Sequence, residues 1–259
     1  MNRHMPRWPL VWITGGGSGI GRATALRLAA EGSDVIVSGR RLDALTSVQE
    51  EAEQRRLDGR ILPKVLDVTD TAAFCRTLDE IESEWKLPDL VILNAGDHQP
   101  MALDELSTDT CRRLMEINYF AVMAGLEALL PRMRRRGWGQ IACTASLASY
   151  RGLPTAAAYG GSKAALVNAC EALQVELQGS GVRLQVINPG FVKTPLTDRN
   201  AFEMPQLISP EEAADALVKG LHSRRFEIRF PRGFAWTLAL LRHLPYGLYF
   251  RWVKRGTGF

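Results

Sequence analysis

The sequence Leu10-Val11-Trp12-Ile13-Thr14-Gly15-Gly16-Gly17-Ser18-Gly19-Ile20-Gly21 joins a short apolar run to a glycine-rich turn, and a helical pattern follows over residues 22–31. We interpret this order as a buried strand, a tight turn and the start of a helix. Glycines in the turn let the backbone approach a pyrophosphate closely, and the helix start supplies free amides and the positive end of its dipole. The stretch therefore predicts a site for a dinucleotide phosphate.

Further strand-like runs alternate with helical patterns along the rest of the chain. The expected strands are residues 10–13, 35–38, 61–68, 90–93, 140–144, 184–187 and 226–230. Such alternation, with right-handed crossovers, predicts an α/β, doubly wound Rossmann fold with a seven-stranded parallel sheet flanked by helices. The ligand crevice of this fold lies beyond the carboxyl ends of the strands, where we expect Gly15, Asn94, Ser146 and Pro189 to meet.

Tyr159 and Lys163 are four residues apart, and Ser146 lies thirteen residues before the tyrosine. An i, i+4 pair shares one face of a helix, so the lysine ammonium can stand beside the phenol. We expect this charge to lower the pKa of the phenol from about 10 toward neutrality, which makes tyrosine usable as an acid or base. For such a pair on its own, a half-exposed tyrosine beside a solvated lysine is the commoner interpretation.

Six short motifs occur in one order along the chain. They are Thr14-Gly15 with Gly19 and Gly21, Asn94-Ala95-Gly96, Asn118, Ser146, Tyr159 with Lys163, and Pro189-Gly190 with Thr194. In that order they resemble the motifs of the short-chain dehydrogenase/reductase family over nearly the whole chain. The sequence departs from the family at Leu93, where a second asparagine is common, and at Ala145, where a doubled serine is common; the spacing to Tyr159 selects Ser146 as the catalytic hydroxyl.

The resemblance implies an NADP(H)-dependent oxidoreductase that interconverts a carbonyl compound and an alcohol. It makes Tyr159 the proton donor or acceptor, Lys163 its partner and a ligand of the nicotinamide ribose, and Ser146 the holder of the substrate oxygen. It also makes Asn118 the support of a water that links Lys163 to solvent. The implied cofactor-binding residues are Gly15, Ser18, Gly19, Ile20, Gly21, Arg40, Arg41, Asp67, Val68, Asn94, Ala95, Gly96, Tyr159, Lys163, Pro189, Gly190 and Thr194. A non-catalytic, NADP(H)-binding regulatory protein is the alternative.

The end of the second strand indicates which cofactor is used. An acidic residue about twenty residues beyond the glycine turn would bind the ribose 2′-hydroxyl of NAD. Gly39 stands there instead and Arg40 and Arg41 follow, and a guanidinium suits the 2′-phosphate of NADP. The alternative is that both arginines are only solvated at a helix start. It is supported by Ser18, which replaces a basic residue that some NADP-using relatives carry. NADP(H) is the predicted cofactor, with NAD(H) less favoured.

Composition fits a globular enzyme. Of the 259 residues 46% are hydrophobic and 23% charged, with a net charge of +4, and we expect no nucleic-acid partner because the basic residues 132–136 end a helix. The cysteines and histidines lack metal-ligand spacing, so no metal is predicted. The cysteines and histidines concerned are Cys75, Cys111, Cys143, Cys170, His4, His98, His222 and His243. The cysteines are expected to be free thiols, as in a reducing compartment. The first apolar run leads directly into the glycine turn, so it is expected to be a strand and not a secretory signal. Both points predict a cytoplasmic protein.

Outside the motifs, three segments carry weaker expectations. Residues 191–207 are rich in apolar side chains and form the expected lid. These side chains suit an apolar or lipid-like substrate, or they serve only for packing of the lid. His98 is a candidate for contact with that substrate. The predicted core domain is residues 1–232, and residues 233–259 form an aromatic and basic extension that packs on the pocket, on a partner subunit or on an anionic membrane surface. Residues 156–177 carry many small and apolar side chains, which predicts a homodimer or homotetramer.

Overall fold

The computed structural model describes residues 6–200 and 202–258, so His4 and the last residue of the predicted extension, Phe259, lie outside the described residues. In this part of the chain, seven parallel strands form one sheet in the order β3-β2-β1-β4-β5-β6-β7. Their bounds are β1 Leu10–Thr14, β2 Asp34–Gly39, β3 Ile61–Val65, β4 Leu90–Leu93, β5 Gly139–Thr144, β6 Val182–Pro189 and β7 Glu227–Phe230. The predicted doubly wound sheet is confirmed. Its strand order reverses between β1 and β4.

Helices cover both faces of this sheet. Their bounds are α1 Gly19–Ala30, α2 Leu42–Gln54, α3 Thr71–Glu84, α4 Thr108–Met115, α5 Ala121–Arg136, α6 Ala157–Glu176, α7 Pro210–His222, α8 Arg232–Leu241 and α9 Tyr246–Thr257. Successive residues of β1 serve opposite faces: Val11 and Ile13 join the core cluster that contains α1 and α7 residues, and Trp12 joins the cluster with α3 and α5 residues. Burial on both faces explains why the strands are continuous apolar runs.

The third strand is shorter than predicted, because it ends at Val65 rather than at residue 68. The side chain of Asp67 explains the difference. Its Oδ1 accepts hydrogen bonds from the Thr69 backbone N–H at 3.0 Å and from the Thr69 hydroxyl at 2.7 Å. This local turn replaces the sheet ladder.

Helix α4, a π-helical segment Glu116–Phe120 and α5 follow one another without a break. Among the described residues, this run is the one that is long and apolar enough to cross a bilayer by composition. Its apolar side lies in the core against the sheet and includes Val122, Leu126 and Leu129. The apolar composition therefore reflects packing inside the protein.

Two helix boundaries near the end of the chain have clear local causes. Ser209 caps α7: its hydroxyl accepts the Glu212 N–H at 3.1 Å, and the Glu212 carboxylate accepts the Ser209 N–H at 2.8 Å. Pro210 occupies the first turn. Pro245 separates α8 from α9, as a residue without a backbone N–H should.

Candidate active site

A cleft of about 430 Å³ opens at the carboxyl ends of β1, β4, β5 and β6. The predicted site residues that line it are Gly15, Ser18, Gly19, Ile20, Arg40, Arg41, Asn94, Ala95, Gly96, Ser146, Tyr159, Lys163, Pro189, Gly190 and Thr194. The predicted residues Gly21, Asp67, Val68 and Asn118 do not line it. The chain thus brings six separate segments to the point where the strand order reverses, which is where a doubly wound sheet binds its ligand.

The glycine turn leaves no room for side chains. Gly19 has φ of +52°, and a Cβ there would lie 2.9 Å from Cγ2 of Thr194 in the lid. A Cβ on Gly21 would lie 2.3 Å from the carbonyl oxygen of Gly15, so Gly21 serves the packing of α1 on the turn behind the cleft. Ser18 at the start of α1 makes no side-chain hydrogen bond to cap the helix, so the first-turn amides fit a phosphate.

Asn94 ties three strand ends together. Its backbone N–H donates to the Thr14 hydroxyl at 3.0 Å and its Nδ2 donates to the Thr14 carbonyl oxygen at 3.2 Å. Its Oδ1 accepts from the Thr144 hydroxyl at 3.3 Å. The side chain therefore fixes the ends of β1, β4 and β5 relative to one another, and its own contact with a cofactor stays a prediction.

Tyr159 and Lys163 lie in the first turns of α6. The Lys163 ammonium donates to the Thr144 carbonyl oxygen at 2.8 Å and lies 6.0 Å from the centre of the Tyr159 ring. Burial lowers the pKa of Lys163 from 10.5 to about 8, with the Cys143 thiol acting weakly in the opposite direction. The lysine is therefore close to the phenol but directed toward a strand carbonyl.

The direction predicted for the tyrosine differs from the structure. Loss of water around Tyr159 raises the pKa of its phenol, and the Ser146 hydroxyl opposes this rise. Burial is the larger of these two effects, and the Lys163 ammonium donates to the Thr144 carbonyl oxygen. The phenol is consequently protonated at neutral pH, which suits a proton donor.

Ser146 follows β5 directly. Its hydroxyl accepts the Ala148 N–H at 3.1 Å and so caps the short 3-10 turn Leu147–Ser149. This bond fixes the serine side chain at the cleft, next to Tyr159. A hydroxyl held there can orient an oxygen of a bound molecule.

Asn118 lies in the π-helical segment and is buried. Its Oδ1 accepts the Asp97 N–H at 2.9 Å, and its Nδ2 donates to the Asp97 carbonyl oxygen at 2.9 Å and to the Ser162 hydroxyl at 3.0 Å. A Cβ on Gly96 would lie 2.9 Å from its Oδ1 and 3.3 Å from Nζ of Lys163. The amide therefore positions the loop after β4 beside the lysine, and its proposed link to a water stays a prediction.

The predicted phosphate-binding arginines extend the cleft beyond β2. Arg40 and Arg41 are exposed and line its far end. The pKa of the Asp67 carboxyl is lowered, mainly by the two hydrogen bonds from Thr69, with a smaller contribution from the positive charge of Arg40. The charge of Arg40 thus reaches Asp67, and the neighbouring Val68 is buried.

The sequence did not reveal the ion pairs that hold the lid. Asp97 pairs with Arg113 and with Arg199 of the lid, whose Nη1 lies 2.7 Å from Oδ1 of the aspartate. His98 packs edge-on against Tyr159 with ring centres 4.6 Å apart, and its Nε2 lies 3.0 Å from Oδ1 of Asn200. We call Asp97, His98, Arg199 and Asn200 the lid clasp. The Asp97–Arg199 and His98–Asn200 contacts each join residues 102 positions apart. A single sequence offers no signal for contacts over such a separation.

Comparisons with known proteins agree with this geometry. The short chain dehydrogenase family model matches residues 9–204. An uncharacterized oxidoreductase of Myxococcus xanthus is 37% identical over 237 residues, 92% of this chain and 93% of that protein. A levodione reductase of Leifsonia aquatica is 30% identical over 218 residues, 84% of this chain and 81% of its own.

Solved structures give the same result. A short-chain dehydrogenase of Burkholderia cenocepacia J2315, crystallised in complex with NADP, superposes with a TM-score of 0.80 at 26% identity. The match covers 93% of this chain and 96% of that one. The glycine turn, the open helix start and the cationic end of the cleft fit a nicotinamide dinucleotide. The chain belongs to the short-chain dehydrogenase/reductase family of NAD(P)-dependent oxidoreductases.

Proposed function

We propose that this enzyme uses NADP(H) to interconvert a carbonyl compound and an alcohol, with Tyr159 as the acid or base. The observation that carries the proposal is the meeting of Ser146, Tyr159 and Lys163 in the same cleft as the glycine turn. A bound nicotinamide would supply or accept the hydride. The residues of the chain would hold the substrate oxygen and move its proton.

Each side chain has a task that its surroundings favour. Tyr159 keeps its proton at neutral pH because its pKa is raised by desolvation, so it can donate to a carbonyl oxygen. Lys163, with a pKa of about 8, is mostly cationic below that pH and favours the phenolate that forms when the proton leaves. Ser146 supplies a second hydrogen bond to the same oxygen.

The test removes the transferable proton. Tyr159→Phe should lower kcat for carbonyl reduction by a factor of about a hundred to ten thousand, because a positioned general acid contributes that much. NADPH binding, measured by fluorescence, should persist. Tyr119→Phe, a half-buried tyrosine outside the cleft, is the matched control and should keep its activity.

Two results would contradict this proposal. Unchanged turnover by Tyr159→Phe would rule out the assigned mechanism. Tight NADPH binding without turnover, across panels of carbonyl compounds and alcohols, would favour the alternative of a non-catalytic regulatory protein.

We infer a preference for NADP(H) over NAD(H) from Arg40. Its exposed guanidinium at the mouth of the cleft suits a 2′-phosphate. A charge-assisted pair of this kind is worth about 1.5–3 kcal/mol, roughly a tenfold to hundredfold effect on affinity. Arg40→Ala should therefore weaken NADPH binding far more than NADH binding in parallel titrations. Equal weakening of both, or a wild-type preference for NADH, would contradict the inference.

The substrate we propose is apolar. The Phe191 ring in the lid lies 5.6 Å from the ring of Phe202 and 5.4 Å from that of Phe234, centre to centre. This aromatic cluster begins at the residue that follows Pro189 and Gly190, both of which line the cleft. Turnover of a series of ketones with increasing alkyl length should improve with length, and a preference for sugars would contradict this assignment.

We also propose that the enzyme is a homodimer or homotetramer built on α6. One side of this helix is buried at Leu166 and Cys170, whereas Val175 and Ala172 are exposed on the other side. Light scattering at micromolar concentration measures the mass directly. A monomeric mass would contradict this assembly.

A further inference from the structure

The last two helices expose large apolar side chains. Trp236 and Leu240 project from α8, with relative exposures of 65% and 71%, and Phe250 and Trp252 project from α9 with 61% and 66%. With the exposed Tyr246 and Leu248, we call these six residues the tail surface. So much exposed aromatic area on two consecutive helices marks an interaction site.

The opposite sides of the same helices attach the tail to the body of the protein. Ala235 and Leu238 are buried in one cluster with Leu147. The guanidinium of Arg151 donates to the Leu244 carbonyl oxygen at 2.6 Å and lies 4.0 Å from the centre of the Tyr249 ring. The tail surface is therefore left over after the helices have packed, and it faces outward.

Charge identifies the kind of partner. Six cations and no acidic side chain follow Glu227. The cations are Arg229, Arg232, Arg242, Arg251, Lys254 and Arg255. A symmetric contact between two copies would bring like charges together, which disfavours a second copy as the occupant. Exposed aromatic rings among cations suit an anionic lipid surface, where Trp and Tyr lie at headgroup level.

The helices are too short to cross a bilayer. Helix α8 has 10 residues and α9 has 12, which at about 1.5 Å per residue is well below the roughly 30 Å of a hydrocarbon core. Such helices can lie in the plane of the headgroups.

The tail borders the lid. Phe234 of α8 packs on Phe191, and its N–H donates to the Gln206 side-chain oxygen at 3.0 Å. A surface that held α8 would therefore also lie close to the opening of the cleft.

We propose that α8 and α9 dock this enzyme on the surface of an anionic membrane, with the tail surface in the headgroup region and the lid beside it. Docking itself depends only on the tail. Delivery of an apolar substrate from the bilayer rests in addition on the proposed function.

The experiment is vesicle co-sedimentation of the full chain, without substrate or cofactor. Phosphatidylcholine vesicles with one-quarter phosphatidylglycerol should bind the protein at low salt, and pure phosphatidylcholine vesicles should bind it weakly. Rising salt should release it. Because neither substrate nor NADPH is present, this result does not depend on whether the proposed reaction is correct.

Two matched pairs of variants locate the contact. Trp236→Ser should weaken binding about tenfold by loss of apolar burial, whereas Trp138→Ser, another exposed tryptophan under an arginine, should not. The double variant Arg251→Gln/Arg255→Gln should weaken binding about thirtyfold, at about 1 kcal/mol per cation. Arg134→Gln/Arg135→Gln, at the end of α5, carries the same charge change and should bind nearly as the wild type. A melting temperature close to that of the wild type shows that each variant is folded.

Three outcomes overturn the proposal. One is no binding of the wild type to anionic vesicles at low salt. Another is equal loss of binding in the tail and control variants. The third is a lower solution mass for Trp236→Ser than for the wild type, which would make the tail surface an interface between copies.

Discussion

Replacing Lys163 by methionine should stabilise the fold while abolishing the reaction. Burial lowers the pKa of this lysine from 10.5 to about 8. At about 1.4 kcal/mol for each tenfold change in proton affinity, the buried charge destabilises the folded state by about 3 kcal/mol at neutral pH. Methionine has a similar length and no charge, but it loses the hydrogen bond to the Thr144 carbonyl oxygen, worth about 1 kcal/mol. The net gain at neutral pH should be about 2 kcal/mol.

The pH dependence distinguishes this cause from better packing. Between about pH 8 and pH 10.5 the unfolded chain binds more protons at this position than the folded chain, so the wild type gains stability as pH rises. The advantage of Lys163→Met should therefore shrink by about 2 kcal/mol between about pH 7 and pH 9.5. Urea unfolding at both pH values, without added nucleotide, measures it. A difference in the free energy of unfolding between variant and wild type that does not change with pH would refute the reasoning. A variant less stable than the wild type at neutral pH would do the same.

The other predictions concern the lid clasp and the glycine turn. Arg199→Ala removes a half-exposed ion pair with Asp97. It should raise KM for the carbonyl substrate about three- to tenfold and change the melting temperature little. Steady-state kinetics and a thermal melt measure these two effects. Gly21→Ala should destabilise the protein by about 1–3 kcal/mol, because the added methyl would meet the Gly15 carbonyl oxygen; unchanged urea unfolding would contradict this steric argument.

The sequence predicted the sheet and 15 of the 24 residues that line the cleft, because both depend on local patterns. The apolar runs, the glycine turn and the Tyr159–Lys163 spacing each lie within a few neighbouring residues. The end of β3 was misplaced because Asp67 captures backbone and hydroxyl groups of Thr69, a competition that hydrophobicity does not report. The direction of the tyrosine pKa was wrong because desolvation depends on residues far apart in sequence. The lid clasp was missed for the same reason.

The reversal of strand order between β1 and β4 also divides the chain between the two ends of the proposed cofactor site. The glycine turn, Arg40 and Asp67 all precede β4, whereas Ser146, Tyr159, the lid and the tail all follow it. A chimera with its crossover between α3 and β4 would thus keep the segments proposed to bind the adenosine end of the cofactor, and it would exchange those proposed to bind the nicotinamide end and the substrate. Such a recombinant would need to retain Thr14 and Asn94, whose hydrogen bonds join the two parts at the seam.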